Sequence, residues 1–236
     1  MQTLVSLMQS PTPLPIMAES TAFFLAIYLS FAVSVWLIAR RINRPIELRP
    51  PGARQIRTEI LHSLRSILLF GLGTSAAWAA HQAEWISIRT DAGVIQILLE
   101  MLLLVLWNDL YFYAIHRVLH AKLKKAHLTH HRSATATPFT AYSMSSLEAL
   151  LLGAVLPTAM LLHDFSAAAL MFLPLWSILI NTLSHSNCDL FPHAQTGSLL
   201  DFIRHQQTHH SRYHDNFGFF FNHLDAWLGT SRPHKS

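Results

Sequence analysis

Nineteen residues from Thr21 to Ala39, TAFFLAIYLSFAVSVWLIA, contain no charged side chain. A helix needs about 20 residues to cross the hydrocarbon core of a bilayer. Only helices and closed barrels satisfy their own backbone there. This run therefore reads as a membrane helix. It stops at Arg40, Arg41 and Arg44, with Arg49, Arg54 and Arg57 beyond, and Pro45, Pro50 and Pro51 break any helix that would continue. Basic residues collect on the cytoplasmic flank of membrane helices, so this end is read as cytosolic.

Further runs follow. Glu59–Ala80 is expected as a second span, with Arg65 in its first turns snorkelling back to the interface. His81–Asp91 is a short polar turn on the far side. Ala92–Ile115 returns as a third span, and its one mid-membrane charge, Glu100, is expected to face the bundle interior in a hydrogen bond. Leu147–Leu162 and Phe165–Ser184 form a hairpin around His163 and Asp164, each arm carrying a proline, Pro157 or Pro174. The first arm is short enough to dip in without crossing. Residues 1–20 lack a basic n-region and contain Pro11, Pro13 and Pro15, which reads as a loose N-terminal arm on the membrane.

Charge supports this layout. Charged residues make up 13% of the chain, against roughly 25% in a soluble domain. Of the 17 Lys and Arg, only Arg89 falls in the far-side loop and only Arg65 in a span. A single cysteine, Cys188, excludes both an internal disulfide framework and a thiolate metal cluster. Any metal held here has nitrogen or oxygen ligands.

The topology delivers the histidines to one face. The third span leads into His116, His120, His127, His130 and His131; the hairpin leads to His185; the remaining chain adds His205, His209, His210 and His214. Residues four apart share a helix face. His116/His120, His127/His131 and His205/His209 all have that spacing, two of the pairs extended by a neighbouring histidine. Imidazole suits Fe, Cu, Ni and Zn. The nine candidates His116, His120, His127, His130, His131, His185, His205, His209 and His210 exceed what one ion holds. Shared over two ions they leave positions open for water, O2 or substrate. The isolated His62, His81, His163, His193, His223 and His234 are read as structural, and His214 as ligand, outer partner or solvated loop. Rings that ligate a metal need acceptors for their second N–H, and Asp109, Asn181 and Asp201 are positioned for this.

H-x-x-x-H at 116–120, H-x-x-H-H at 127–131 and H-x-x-x-H-H at 205–210 resemble the three histidine boxes of the fatty acid hydroxylase/sterol desaturase superfamily. NDLYFYAIHRVLH before the first box, HSNCDLFP around His185 and DNFGFFFNHLDAWLGT after the third are similar to stretches shared by those enzymes. The resemblance spans about Trp107 to Thr230. It implies an integral membrane enzyme with two non-haem irons, using O2 and two external electrons to hydroxylate or desaturate a lipid in lipid biosynthesis. Ligand roles carry over to His116, His120, His127, His130, His131, His185, His209 and His210. Many relatives have two residues between the first histidine of the third box and the pair. Here His205 stands three away, and Gln206 occupies the two-residue spacing. Asn216 matches a family position of unassigned role.

The expected fold is an all-α membrane bundle of about four to five helices with a cytosolic histidine-rich helical cap. Its parts are the arm at 1–20, membrane helices with a basic loop at 21–90, and a catalytic domain at 91–236. The implied partners are a lipid, the bilayer and an external reductase or electron carrier, with no nucleic acid. No dinucleotide, haem-attachment or cysteine-cluster motif supplies electrons internally. The alternative is a non-enzymatic histidine-rich metal transporter or metal-binding membrane protein. A transporter would place ionisable residues along the spans, where only Glu100 qualifies. A bis-histidine haem protein would need single histidines on facing helices within the membrane.

Overall fold

The computed structural model describes residues 2–233. Among these there is no β-strand, and the elements are helical. They are α1 (Gln2–Met8), α2 (Leu14–Ile42), α3 (Ala53–Gln82), α4 (Val94–Lys122), α5 (Lys124–His131), α6 (Ser146–Gly153), α7 (Val155–Met160), α8 (Ala167–Ser184), α9 (Phe202–Arg212) and α10 (His223–Trp227). Four of them, α2, α3, α4 and α8, are long and apolar enough to cross a membrane.

Length explains where the histidines begin. The 29 residues of α4 rise about 44 Å, against a hydrocarbon core of about 30 Å. A span counted from Val94 is complete before His116, so the last turns of α4 project beyond it. The outer face of α4 is apolar, with Val94, Ile95, Leu98, Leu99, Leu102, Leu106 and Leu110 exposed. Such a continuous apolar stripe suits lipid rather than water. At Leu123 the backbone leaves helical geometry (φ −119°, ψ 34°), and α5 turns back across the end of α4.

Helices α2 and α3 pack closely. A Cβ on Gly71 would stand 1.8 Å from Thr21 Oγ1, so the crossing admits only glycine there. The Ser133–Ser146 loop does not spread over the surface. Its central turn, Pro138–Tyr142, is wholly buried. Glu59, 2% exposed, accepts from Ser133 Oγ at 2.6 Å and from Thr137 Oγ1. Tyr28 and Ser63 donate to Phe139 O at 3.2 and 2.9 Å. Arg65 donates to Met144 O and so closes on the same loop.

The far end is tied differently. The Arg89 guanidinium pairs with Glu100, whose second oxygen accepts from Ser166 N at 2.7 Å. Glu100 is thus an internal partner near the start of α4 rather than at mid-membrane. The first hairpin arm, α6 and α7, runs the whole depth of the bundle despite its shortness. It begins beside the histidines, where Glu148 meets His127, and ends beside Asp164, whose backbone oxygen accepts from Arg89 Nε at 2.8 Å. The expected loose arm is in part ordered helix. Pro15 falls in the first turn of α2, where the missing N–H costs nothing. Upstream, Trp78 and Gln82 donate to the backbone oxygens of Ser10 and Met8 at 3.0 and 2.7 Å.

Candidate metal centre

Three helices and one helix end bring the imidazoles together. His116 and His120 come from the end of α4, His127, His130 and His131 from α5, His209 and His210 from α9, and His185 from the C-terminus of α8. They form two groups whose donor atoms lie within 4.8 Å of one another: His116, His120, His127, His131 and His209; and His130, His185 and His210. The groups adjoin, with His131 and His210 ring centroids 5.1 Å apart.

The facing atoms are nitrogens. Nε2–Nε2 separations are 3.0 Å for His116–His127, His127–His131 and His131–His209, and 3.2 Å for His116–His120. His130 and His185 approach at 3.3 Å. An imidazole nitrogen stands about 2.1 Å from a bound divalent ion, so two such ligands at a right angle are about 3.0 Å apart. The observed spacings match that arrangement.

The outward nitrogens are mostly held. His116 Nδ1 lies 2.8 Å from Phe217 O, His185 Nδ1 2.8 Å from Asn181 O, His209 Nδ1 2.6 Å from Asp215 O, and His130 Nδ1 3.3 Å from Ser143 O. Each of these carbonyls can only accept, so the proton sits on Nδ1 and the Nε2 lone pair faces inward. His127 Nδ1 lies 2.7 Å from Glu148 Oε1, both side chains 2% exposed. His210 is 4% exposed and neither ring nitrogen has a hydrogen-bond partner. A buried ring with two idle nitrogens is costly. An all-nitrogen donor set around it fits a metal ion.

Burial keeps His127, His130, His131, His185, His209 and His210 below the usual histidine range, and neighbouring imidazoles add to this for most of them. His185 and His209 are lowered to about 4. All six are therefore neutral at pH 7, the form in which imidazole can ligate a metal. The unfolded chain takes up protons near pH 6.5 while these two resist until about pH 4, so stability is lost as pH falls through that window. Thermal unfolding of metal-free protein is expected at progressively lower temperature from pH 6.5 to 4. A midpoint constant over that range would contradict it.

His205 stands outside both groups. Its Nε2 lies 2.8 Å from Asp225 Oδ2, one turn of α9 before His209. Asp225 is fully buried and also accepts from Phe217 N, Gly218 N and Thr230 Oγ1. It binds α9 to the segment whose Phe217 carbonyl holds His116. A Cβ on Gly218 would stand 2.8 Å from Asp225 Oδ2, which accounts for a glycine there.

Among the other expected outer residues, only Asn181 meets a ring of the two groups, through its backbone oxygen. Asp109 accepts from Phe220 N and Phe221 N, and Asp201 caps Gly197 N and pairs with Arg204. Asn216, in left-handed backbone (φ 60°), bonds to His205 O and to both backbone polar groups of Arg232. His214 is exposed. His62, His81, His163, His193 and His223 lie outside both groups, and His234 lies outside the described residues.

Glu148 and Asp225 were not singled out from the sequence. Glu148 had a signal: it is the lone acidic residue of an otherwise apolar arm. Replacing Glu148 with glutamine is expected to lower metal affinity about 10–100-fold while the protein stays folded. Titration of metal into the metal-free variant checks this, and unchanged affinity would remove Glu148 from the centre.

An apolar cavity of about 340 Å³ lies below the histidines, between α3, α4, α6, α7 and α8. Phe112 and Phe219 are among the residues that line it. The Phe112 ring lies 4.9 Å from that of His116 and 5.0 Å from that of Phe219.

Residues 101–230 match the fatty acid hydroxylase family. A Delta(7)-sterol 5(6)-desaturase of Gibberella zeae is 31% identical over 137 residues, which make up 55% of this chain and 37% of that protein. The chain thus spans little more than a third of that relative's length. No solved structure matches.

Proposed function

The chain belongs to the fatty acid hydroxylase family, and from that premise we propose that it is a multi-pass membrane oxygenase that hydroxylates or desaturates a lipid. The observation that carries the reading is an apolar cavity whose wall residue Phe112 packs against His116, a member of the two buried imidazole groups. His116, His120, His127, His131 and His209 would hold one iron, and His130, His185 and His210 a second. Bound there, a pair of irons supplies the activation of O2 with two external electrons, so that one oxygen atom enters a C–H bond or two hydrogens leave to give a double bond.

The chain's own groups do the rest. The Nδ1 acceptors fix five rings before any metal arrives, which spares reorganisation when it binds. The His130 group would hold its ion with fewer protein donors than the five-histidine group. Phe112 and Phe219 exclude water from the reacting carbon while leaving an apolar approach. No charged residue lines the cavity, so a carboxylate or phosphate headgroup stays outside and only the neutral body of the lipid enters. The basic flanks of α2 and α4 support a cytosolic orientation. Exposed Lys122, Lys124 and Lys125 suit an acidic electron donor. The Gibberella zeae relative is a sterol desaturase by name, which keeps sterols among the lipids considered.

Lipid profiles of cells with and without the gene, in air and under anoxia, test the activity. A product present only with both gene and oxygen is expected; identical profiles would reject it. A narrower test uses Gly73, which lines the cavity and has no atom within 4 Å of the place a Cβ would occupy. Gly73→Leu suits a helix better than glycine and fills the cavity. Turnover is expected to fall at least about tenfold, the equivalent of about 1.4 kcal/mol, with metal content unchanged. Normal turnover would place the lipid elsewhere.

A further inference from the structure

The cavity is apolar, yet its polar groups are not all spent. Tyr111 donates to Leu151 O at 2.7 Å, Thr74 Oγ1 to Gly71 O at 2.6 Å, and Asn181 Nδ2 to Ala141 O at 3.0 Å. The side chains of Asn108 and Ser177 and the hydroxyl of Tyr142 have no hydrogen-bond partner among the described residues, and neither does the amide oxygen of Asn181. Asn108 is 5% exposed. Its amide is therefore withdrawn from bulk solvent, unpaired, and open to the cavity. Buried amides left without partners are rare in folded proteins because each loses its hydrogen bonds to water and gains none.

Register sharpens the point. Asn108 lies eight residues before His116 on α4, and Ser177 lies eight residues before His185 on α8, the helix that packs beside it. Eight residues rise about 12 Å. Asn108 and Ser177 thus each stand about 12 Å along their own helix from a histidine, in a bore whose other polar side chains are Thr74, Tyr111, Tyr142 and Asn181. Asn181 lies one turn nearer the histidines on the same helix as Ser177. An amide offers donors and an acceptor, and a hydroxyl offers one donor and two lone pairs. The spare Asn181 oxygen, whose own nitrogen is already used, accepts only.

We propose that Asn108 and Ser177 form a recognition site for a hydroxyl group carried within the apolar body of the lipid, about 12 Å from the carbon presented to the histidines. This rests on the reading of the cavity as the lipid site. A hydroxyl both donates and accepts, so it satisfies an amide oxygen on one side and a donor on the other; a ketone leaves the oxygens unpaired. Seated there, it sets how far the chain slides towards the histidine end, and so which carbon is oxidised. Asn108 and Ser177 are on this account residues that determine position and specificity, since the register they impose acts at a distance from the reacting atoms.

Binding rather than turnover tests it, on the full chain purified without added iron. The probes are methyl octadecanoate, methyl 10-hydroxyoctadecanoate and methyl 10-oxooctadecanoate. The 10-hydroxy ester is expected to bind at least about tenfold more tightly than the other two, a modest preference for a site built around a hydroxyl. Asn108→Leu and, separately, Ser177→Ala are expected to reduce that preference towards unity while methyl octadecanoate still binds, which also shows that the variants fold. Equal binding of all three esters to the unmodified protein would overturn the hydroxyl site and leave the lipid cavity standing. So would a preference that survives both substitutions. Failure of every ester to bind the folded protein would end both readings.

Discussion

Replacing His130 with alanine is expected to abolish oxygen-dependent lipid turnover and to remove one metal ion per chain, leaving the protein inserted in the membrane. His130 belongs to the group of three, with His185 and His210. Two imidazoles are too few to retain an ion against solvent, whereas the group of five is untouched. His209→Ala acts on the other group, where four rings remain. It too is expected to abolish turnover, because His209 Nε2 sits 3.0 Å from His131 Nε2 and its Nδ1 is anchored on Asp215 O. Removing it leaves His131 facing His127 alone among its close Nε2 neighbours. The metal is expected to be weakened rather than lost. Metal content and single-turnover assays on membrane-extracted protein separate the two outcomes. Retained turnover in either variant would refute the ligand assignment.

The second large effect is on stability. Asp225→Ala is expected to cost about 3–5 kcal/mol, the range for removing one member of a buried charged network. Four donors converge on this fully buried carboxylate: Phe217 N, Gly218 N, Thr230 Oγ1 and His205 Nε2. Alanine strands them all in a region closed to water. The damage reaches the metal centre indirectly, since Phe217 O orients His116. Thermal unfolding in detergent, with and without metal, measures it. A midpoint within a degree or two of the unmodified protein would show that Asp225 carries no such load. His205→Asn, which removes one of the four donors, is expected to be far milder and to leave the metal content intact.

The membrane helices were legible because lipid leaves a coarse mark. Uncharged runs such as Thr21–Ala39 fall in helices long and apolar enough to cross a membrane. The gathering of eight histidines was legible through i, i+4 spacing and topology together. The same spacing drew in His205. Periodicity places a residue on a helix face but does not say what lies opposite, and opposite His205 lies Asp225, twenty residues on. Glu148 and Asp225 act through pairings distant in sequence; the apolar arm around Glu148 marks it as buried, and nothing local does the same for Asp225. The prolines of residues 1–20 suggest a loose arm. Pro15 instead lies in the first turn of α2, and the docking of Met8 and Ser10 on α3 depends on side chains some seventy residues away.

The account turns on one quantity: the number of irons held by the histidine groups. Protein produced with iron and purified in detergent should contain about two irons per chain with no Soret band, as ligation by imidazole alone requires. His130→Ala should contain about one. At most one iron in the unmodified protein, or iron that stays at full content when His130 and His209 are both alanine, would contradict the two-iron centre.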